Sequence, residues 1–159
     1  MATQSFRRII ELLEQHGVEY VVVGGVAAVL QGAPVTTFDL DALFKVDPQN
    51  IDRLLIVLAD LGARFRERPD LQPTQKDLAA GKHVLLATDS GPFDLLGVIG
   101  SGKRYEDVAG SATPMSIGDR TIKVLSIESL IEDKKAMGRN KDLVAIGMLE
   151  ALVNRRRDR

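Results

Sequence analysis

Residues 20–44 constrain the fold more strongly than any other part of the chain. They open with a short, β-branched apolar run that stops at Gly24-Gly25. A run of good helix-forming residues follows and is closed by a third glycine, a residue typical of helix C-termini. In residues 38–44, apolar and acidic side chains alternate as far as Asp41, and the last three residues are apolar. This order predicts a buried strand, a glycine turn, a short helix over residues 26–31 and a second strand.

The second strand places two carboxylates side by side. Residues i and i+2 of a strand share a face, so Asp39 and Asp41 are expected to point the same way. Two ionised carboxylates repel each other unless a positive charge lies between them, and Mg²⁺ prefers such oxygen ligands. An Asp-x-Asp pair on its own is more often a solvated strand face. When the acidic pair lies beside a glycine turn, a metal site is favoured over a solvated strand face.

The glycine turn has the properties of a phosphate site. Gly24-Gly25 permits backbone angles that other residues resist and lets another group approach the main chain closely. A helix that starts just after such a turn presents free N–H groups and a partial positive charge. A Gly-Gly pair alone is usually only a turn, and the glycine spacing does not match the G-x-G-x-x-G dinucleotide fingerprint. The combination with the acidic pair favours a nucleotide phosphate.

A third carboxylate interrupts an otherwise apolar strand. Residues 82–88 and 92–99 are predicted to form two strands joined by a hairpin turn, and Asp94 lies inside the second. A carboxylate at such a position is costly to bury unless it is paired or bound to a metal. A half-exposed position at a sheet edge is the alternative. Together with the acidic pair, Asp94 is expected to join the site.

The pattern of strand, Gly-Gly, small-residue helix, Gly, Pro, Thr and Asp-x-Asp resembles the nucleotidyltransferase superfamily. It is most similar to the minimal bacterial branch, which includes abortive-infection toxins of toxin–antitoxin systems and small antibiotic nucleotidyltransferases. The resemblance implies an α/β (α+β) fold with a mixed β-sheet flanked by helices. It also implies a site for two Mg²⁺ ions and a nucleoside triphosphate. The catalytic and metal-binding residues that it implies are Asp39, Asp41 and Asp94.

The resemblance extends to the nucleotide-binding residues. It implies that the glycine turn holds the triphosphate, that Lys134 or Lys135 reaches the triphosphate, and that Asp142 braces a helix together with Arg139. The nucleotide-binding set is Gly24, Gly25, Thr37, Lys134, Lys135 and Arg139. One position departs from the family pattern, because Val35 stands where the branch commonly has an arginine. That change removes one expected contact to phosphate or acceptor.

Composition and charge fit one globular domain. Of the 159 residues, 45% are hydrophobic and 27% charged, which is ordinary for a globular protein with a real core. Eight Lys/Arg and three Asp/Glu fall in residues 134–159, so that end carries +5 and the remainder −6, for a net charge of −1. A single domain over 1–154 and a basic tail over 155–159 are therefore expected.

Several classes of protein are disfavoured. The chain has no cysteine, hence no disulfide framework, and its two histidines make a histidine-based zinc site or a Ser-His-Asp triad improbable. No signal peptide is visible, and the longest apolar run is far below the ~20 residues of a membrane helix. A cytoplasmic protein without a membrane partner is expected.

The remaining segments provide the scaffold. Apolar periodicity predicts helices over 4–16, 127–137 and 139–154, and a capped helix that begins at Pro48 and runs to Leu61. A hairpin is predicted over 114–125. The charged segment 63–72, with alternating arginines, is predicted as at most a short polar edge strand.

Two functional hypotheses follow from these features. The first is an enzyme that moves a nucleoside monophosphate from a triphosphate to a hydroxyl on RNA (tRNA), on a protein or on a small molecule. It could act as a component of a toxin–antitoxin pair. The alternative is a catalytically weak or inactive module of the same fold that binds a nucleotide or a partner. Little sequence remains for an acceptor domain, so a partner chain or a homodimer is considered in both cases.

Overall fold

A single mixed sheet of seven strands organises the computed structural model, which describes residues 2–37 and 39–158. The strands lie in the order β3-β4-β5-β2-β1-β7-β6. Their bounds are β1 Tyr20–Val23, β2 Leu40–Phe44, β3 Arg64–Phe65, β4 His83–Thr88, β5 Gly91–Leu96, β6 Thr113–Ile117 and β7 Arg120–Val124. The predicted mixed sheet is confirmed.

Seven α-helices and one 3₁₀ turn complete this described part of the chain. The helices are α1 Ala2–Gln15, α2 Gly24–Leu30, α3 Pro48–Asp60, α4 Gln75–Ala79, α5 Tyr105–Val108, α6 Ile127–Met137 and α7 Asn140–Arg157, and the 3₁₀ turn is Ala109–Ser111. In residues 2–37 and 39–158, no helix combines the length and the apolar character needed to cross a bilayer.

The middle of the sheet brings the key segments together. Strand β2 pairs antiparallel with β1 and parallel with β5, so it lies between the strand before the glycine turn and the strand that carries Asp94. In this register Val23 faces Asp41, and Asp41 faces Asp94. The two strands predicted to carry the carboxylates, β2 and β5, are thereby adjacent.

Local sequence explains why the elements begin where they do. All four residues of β1 are buried, as expected of an apolar central strand. Asp47 caps α3 by accepting a hydrogen bond from Asn50 N at 2.8 Å, and proline follows it at the first helical position. Ser126 caps α6 in the same way, and Gly138 ends that helix with a φ of 64°.

Several boundaries differ from the sequence prediction. Helix α2 begins at Gly24 instead of residue 26, and the predicted strand in 63–72 shrinks to the two residues of β3. Helix α7 continues through Arg157, because Arg156 donates to the carbonyl of Gln31 at 2.9 Å and anchors the last turn. The predicted start of the second strand, at Phe38, lies outside the described residues.

The apolar stripe predicted for α7 is only partly correct. The apolar periodicity that predicts this helix includes Leu143, Ile146 and Leu149 and so places them toward the core. Ile146 and Leu149 are buried, but Leu143 is 67% exposed. The helix turns its Asp142 side inward instead, because Asp142 makes ion pairs with Arg139 and Lys134. A polar contact therefore fixes the rotation of the first turn of this helix.

Candidate active site

Three carboxylates converge where β2 and β5 run side by side. Asp41 and Asp94 are direct neighbours in the parallel register, and Asp39 precedes Asp41 by two positions. All three side chains are partly buried. Arg66 contacts Asp94 and Asp39, of which Asp94 is the less exposed, at 13% against 44%. The predicted carboxylates thus occupy one place in the fold.

Burial and mutual repulsion disfavour ionisation in this cluster. Burial, and after it the neighbouring Asp94 and Asp39 carboxylates, raise the pKa of Asp41 to about 8. Burial also raises the pKa of Asp94, although the Arg66 guanidinium opposes this shift. Asp41 Oδ1 is buried and has no hydrogen-bond partner. Such an orphaned oxygen is expected where a charged ligand belongs.

Arg66 supplies positive charge to the cluster. Its Nη2 donates to Asp94 Oδ1 and to the carbonyl of Leu86, the latter at 3.0 Å, while Nη1 lies 4.0 Å from Asp39 Oδ2. Arg66 directly follows β3, which is the edge strand of the sheet and pairs with β4. One guanidinium therefore contacts two of the three carboxylates.

The donor set suits a hard cation but is not closed around one. Across the described ranges 2–37 and 39–158, no three or more histidine or acidic side chains have the spacing of a finished metal site. The oxygens nevertheless match the ligands that Mg²⁺ prefers, and the buried Asp41 Oδ1 still lacks a partner. The residues fit a divalent cation once Arg66 no longer engages Asp94.

The glycine turn touches the carboxylate cluster directly. Gly24 has a φ of 66°, and a Cβ built there would lie 2.1 Å from Asp41 Oδ2. A Cβ on Gly25 would lie 2.6 Å from Oγ1 of Thr37, whose hydroxyl donates to the carbonyl of Asp39 at 3.3 Å. Only glycine fits both positions, so the turn and the carboxylates form one unit.

A cleft of about 220 Å³ opens beside this turn. Its walls come from the turn, the segment after α2 and the junction of α6 with α7; they include Gly25, Val35, Thr36, Lys134, Arg139 and Lys141. Three of these side chains are basic. Because Gly25 lines the cleft while Gly24 contacts Asp41, the basic cleft and the acidic cluster are adjacent.

The structure distinguishes between the basic residues predicted for nucleotide binding. Lys134 lines the cleft, 3.8 Å from Asp142 Oδ1, whereas Lys135 pairs with Glu150 at 3.2 Å and does not line the cleft. Arg139 also lines the cleft, but its guanidinium contacts Asp142 at 2.7 and 3.2 Å and lowers the pKa of that carboxyl. Of the two lysines, Lys134 is therefore the one placed to contact a ligand in the cleft.

Comparison with known proteins identifies the family. A family model described as aminoglycoside-2''-adenylyltransferase matches residues 5–142. The chain belongs to this adenylyltransferase family. It is an enzyme of the nucleotidyltransferase kind, as the sequence predicted. A comparison with curated proteins finds no match.

Solved structures of three other proteins share the fold of this chain. The lincomycin-bound lincosamide antibiotic adenylyltransferase LnuA superposes with a TM-score of 0.66 at 17% identity, covering 94% of this chain and 96% of that one. The antibiotic-resistance factor ANT(2'')-Ia gives 0.62 at 16%, covering 99% and 94%. A candidate nucleotidyltransferase from Thermotoga maritima gives 0.59 at 19%, covering 99% and 93%.

Sequence reasoning missed one residue of this candidate site. Arg66 belongs to the alternating arginines that favoured a polar edge strand, and the structure places its guanidinium on the carboxylates. The sequence signal was only partial: three converging carboxylates require a positive charge, but it is the pairing of β3 with β4 that brings Arg66 to them. Val35, in the place of the usual arginine, lines the cleft with an apolar side chain.

The raised pKa of Asp41 predicts a pH-dependent stability in metal-free protein. The folded state keeps a proton that the unfolded state releases, so the free energy of unfolding should fall as the pH rises from about 3.8 to about 8. We expect Asp41→Asn to remove much of this slope. Thermal unfolding across that range with a chelator tests it; parallel curves for the two proteins would contradict the assignment.

Proposed function

We propose that this enzyme transfers AMP from ATP to a hydroxyl group of a small antibiotic-like acceptor, with aminoglycosides as the first class to test. The observation that carries the proposal is the contact between the glycine turn and three converging carboxylates. That contact puts an acidic cluster beside a basic cleft. The family match and the antibiotic adenylyltransferases of the same fold support the acceptor class.

The two sides of the site suit the two ends of the donor nucleotide. Backbone N–H groups of Gly24 and Gly25 and the ammonium of Lys134 bind the triphosphate in the basic cleft. Asp39 and Asp41 would hold a divalent cation, which would supply positive charge at the α-phosphate. Arg139 keeps Asp142 ion-paired and so fixes the start of α7 against the cleft. Binding of this kind aligns the reacting groups before the reaction starts.

Group transfer then needs one bond to form and one to break. The acceptor oxygen attacks the α-phosphorus in line, the bond from that phosphorus to the bridging oxygen breaks, and pyrophosphate leaves. The proton of the acceptor hydroxyl passes to Asp94 when that carboxylate does not hold the cation, and otherwise to solvent. Mg²⁺ bound by Asp39, Asp41 and Asp94 would supply neutralisation of the phosphate charge.

The position of Lys134 predicts its effect on nucleotide binding. Replacing Lys134 with alanine should raise the KM for ATP about tenfold and change kcat little, because a charged hydrogen bond to phosphate is lost. Lys135→Ala is the matched control, since Lys135 pairs with Glu150 and does not line the cleft. Steady-state kinetics on both variants tests the assignment. An equal rise in KM for the two lysines would count against it.

The test of the function is transfer of label from α-labelled ATP in the presence of Mg²⁺. The acceptors are a panel of aminoglycosides, lincosamides, bulk tRNA and a total protein extract, each incubated with the wild type and with Asp39→Ala/Asp41→Ala. We expect label on an aminoglycoside hydroxyl with the wild type alone. Label on tRNA or protein instead would replace the antibiotic acceptor by a macromolecule.

The same assay separates the enzyme from a binding module. Folded wild-type protein that binds ATP but labels no acceptor in the panel would contradict the proposal. It would favour the catalytically inactive module of the same fold, with Val35 in the arginine's place as the first position to revert.

A further inference from the structure

We propose that Arg66 is the resident counter-ion of the carboxylate cluster and competes with the divalent cation for Asp94. This inference rests on the proposed function, because that function assigns the carboxylates to a metal. It adds a role for a residue that directly follows the edge strand β3 and belongs to neither the predicted catalytic set nor the predicted nucleotide-binding set.

The contacts of Arg66 carry the inference. Its Nη2 donates to Asp94 Oδ1, and its Nη1 lies 4.0 Å from Asp39 Oδ2. These are two of the three side chains that the proposed function assigns to the cation. A cation that takes an oxygen of Asp94 and a guanidinium that holds Oδ1 of the same carboxylate interfere with each other, through shared ligands and through like charge. This competition also explains why the described carboxylates are not spaced as a finished metal site.

The Arg66 side chain can also move away from the carboxylates at low cost. Its backbone is fixed, since Arg66 N donates to the carbonyl of Leu85 at 3.0 Å, so only the side chain needs to move. The side chain is 35% exposed, against 13% for Asp94, and its Nε is buried without a hydrogen-bond partner. A charged group that is incompletely satisfied and open to solvent is cheaper to displace than a carboxylate fixed in a central strand.

Arg66 therefore lowers the affinity of the site for a divalent cation that binds without nucleotide. Without Arg66 the three carboxylates have no ion-pair partner among residues 2–37 and 39–158, and a divalent cation alone would bind more tightly. With Arg66 in place, the cation must displace a positive charge from Asp94. The phosphates of the nucleotide add ligands and offset that cost, so the cation enters together with ATP.

The experiment is a calorimetric titration of metal-free protein with Mn²⁺ alone, for the wild type, Arg66→Gln and Arg68→Gln. Arg68 is the matched control, because it lies two residues away and pairs with Asp70 in an exposed contact. Removal of a positive charge close to the metal should tighten Mn²⁺ binding by Arg66→Gln at least about tenfold, and Arg68→Gln should stay within about twofold of the wild type.

A second variant and a second readout keep the test decisive if Arg66→Gln folds poorly without metal. Arg66→Lys keeps the charge but has one nitrogen, so it cannot contact Asp94 and Asp39 with two separate nitrogens as arginine does. Its Mn²⁺ affinity should therefore fall between those of the wild type and Arg66→Gln. The rise in thermal midpoint on adding Mn²⁺ should follow the same order, Arg66→Gln above Arg66→Lys above wild type.

Two results would overturn the inference and can be told apart. Equal or weaker Mn²⁺ binding by Arg66→Gln, with the wild type still binding the metal, would remove the competition and leave the proposed function standing. No Mn²⁺ binding by any of the proteins, alone or with a non-hydrolysable ATP analogue, would remove the metal centre of the proposed function and this inference with it.

Discussion

Asp41→Asn should lower kcat for AMP transfer at least about 10³-fold, because the central carboxylate of the site loses its charge where phosphate charge has to be neutralised. Asp41 faces Asp94 across the parallel register and lies against the glycine turn, at the centre of the cluster. The variant should nevertheless fold, and its metal-free form should unfold at a higher temperature than the wild type. Burial disfavours the ionised form of Asp41, and asparagine removes that cost.

The opposite signs of these two effects separate chemistry from folding. Steady-state transfer from α-labelled ATP gives kcat, and thermal unfolding with a chelator gives stability. Asp119→Asn is the matched control, since this aspartate is exposed in the turn between β6 and β7 and the chemical change is identical. Transfer by Asp41→Asn within about tenfold of the wild type would remove Asp41 from the catalytic set.

The second large effect is expected at the glycine turn. Gly24→Ala should reduce the free energy of unfolding by about 2–4 kcal/mol, from a left-handed backbone and from overpacking against Asp41. The new Cβ would lie 2.1 Å from Asp41 Oδ2, so the carboxylate or the start of α2 must move. The same displacement should lower transfer activity about a hundredfold, since small misplacement of a catalytic group is costly.

Gly17→Ala separates the two causes. Gly17 has nearly the same backbone angle, with a φ of 68°, but a Cβ there meets nothing within 4 Å. Its cost should be about 1 kcal/mol, with transfer activity unchanged. Urea unfolding of Gly24→Ala, Asp41→Ala and the double variant then measures the clash itself, because removing the carboxylate should recover part of the loss. Equal costs at Gly17 and Gly24, with additive effects in the double variant, would contradict the contact.

The sequence predicted the central strands of the fold for physical reasons that act locally. The apolar run, the glycines and the alternation of Asp39 and Asp41 with apolar residues are signals within a few residues of one another. Tertiary contacts did not change the elements that they predict, and β1 has the predicted bounds. The cap at Asp47 is local in the same sense, because the side chain bonds three residues away. Asp94 could be assigned since an acidic residue in an apolar strand requires a partner.

What the sequence could not predict depends on contacts between distant segments. Arg66 meets Asp94 only because β3 pairs with β4 at the edge of the sheet, and nothing near Arg66 indicates that register. The inward turn of α7 at Asp142 and its extension through Arg157 depend on contacts with Lys134 and Gln31. Such long-range polar contacts outweigh the apolar periodicity that placed Leu143 toward the core.

The most direct test of the central claim compares two labelled forms of ATP in one assay. The wild type is incubated with Mg²⁺, a responsive acceptor and ATP labelled either at the α- or at the γ-phosphate, alongside Asp41→Asn. Attack at the α-phosphorus predicts that the α-label appears on the acceptor and the γ-label appears in pyrophosphate, with neither product in the variant. Transfer of the γ-label to the acceptor, or equal transfer by Asp41→Asn, would contradict nucleotidyl transfer at this carboxylate cluster.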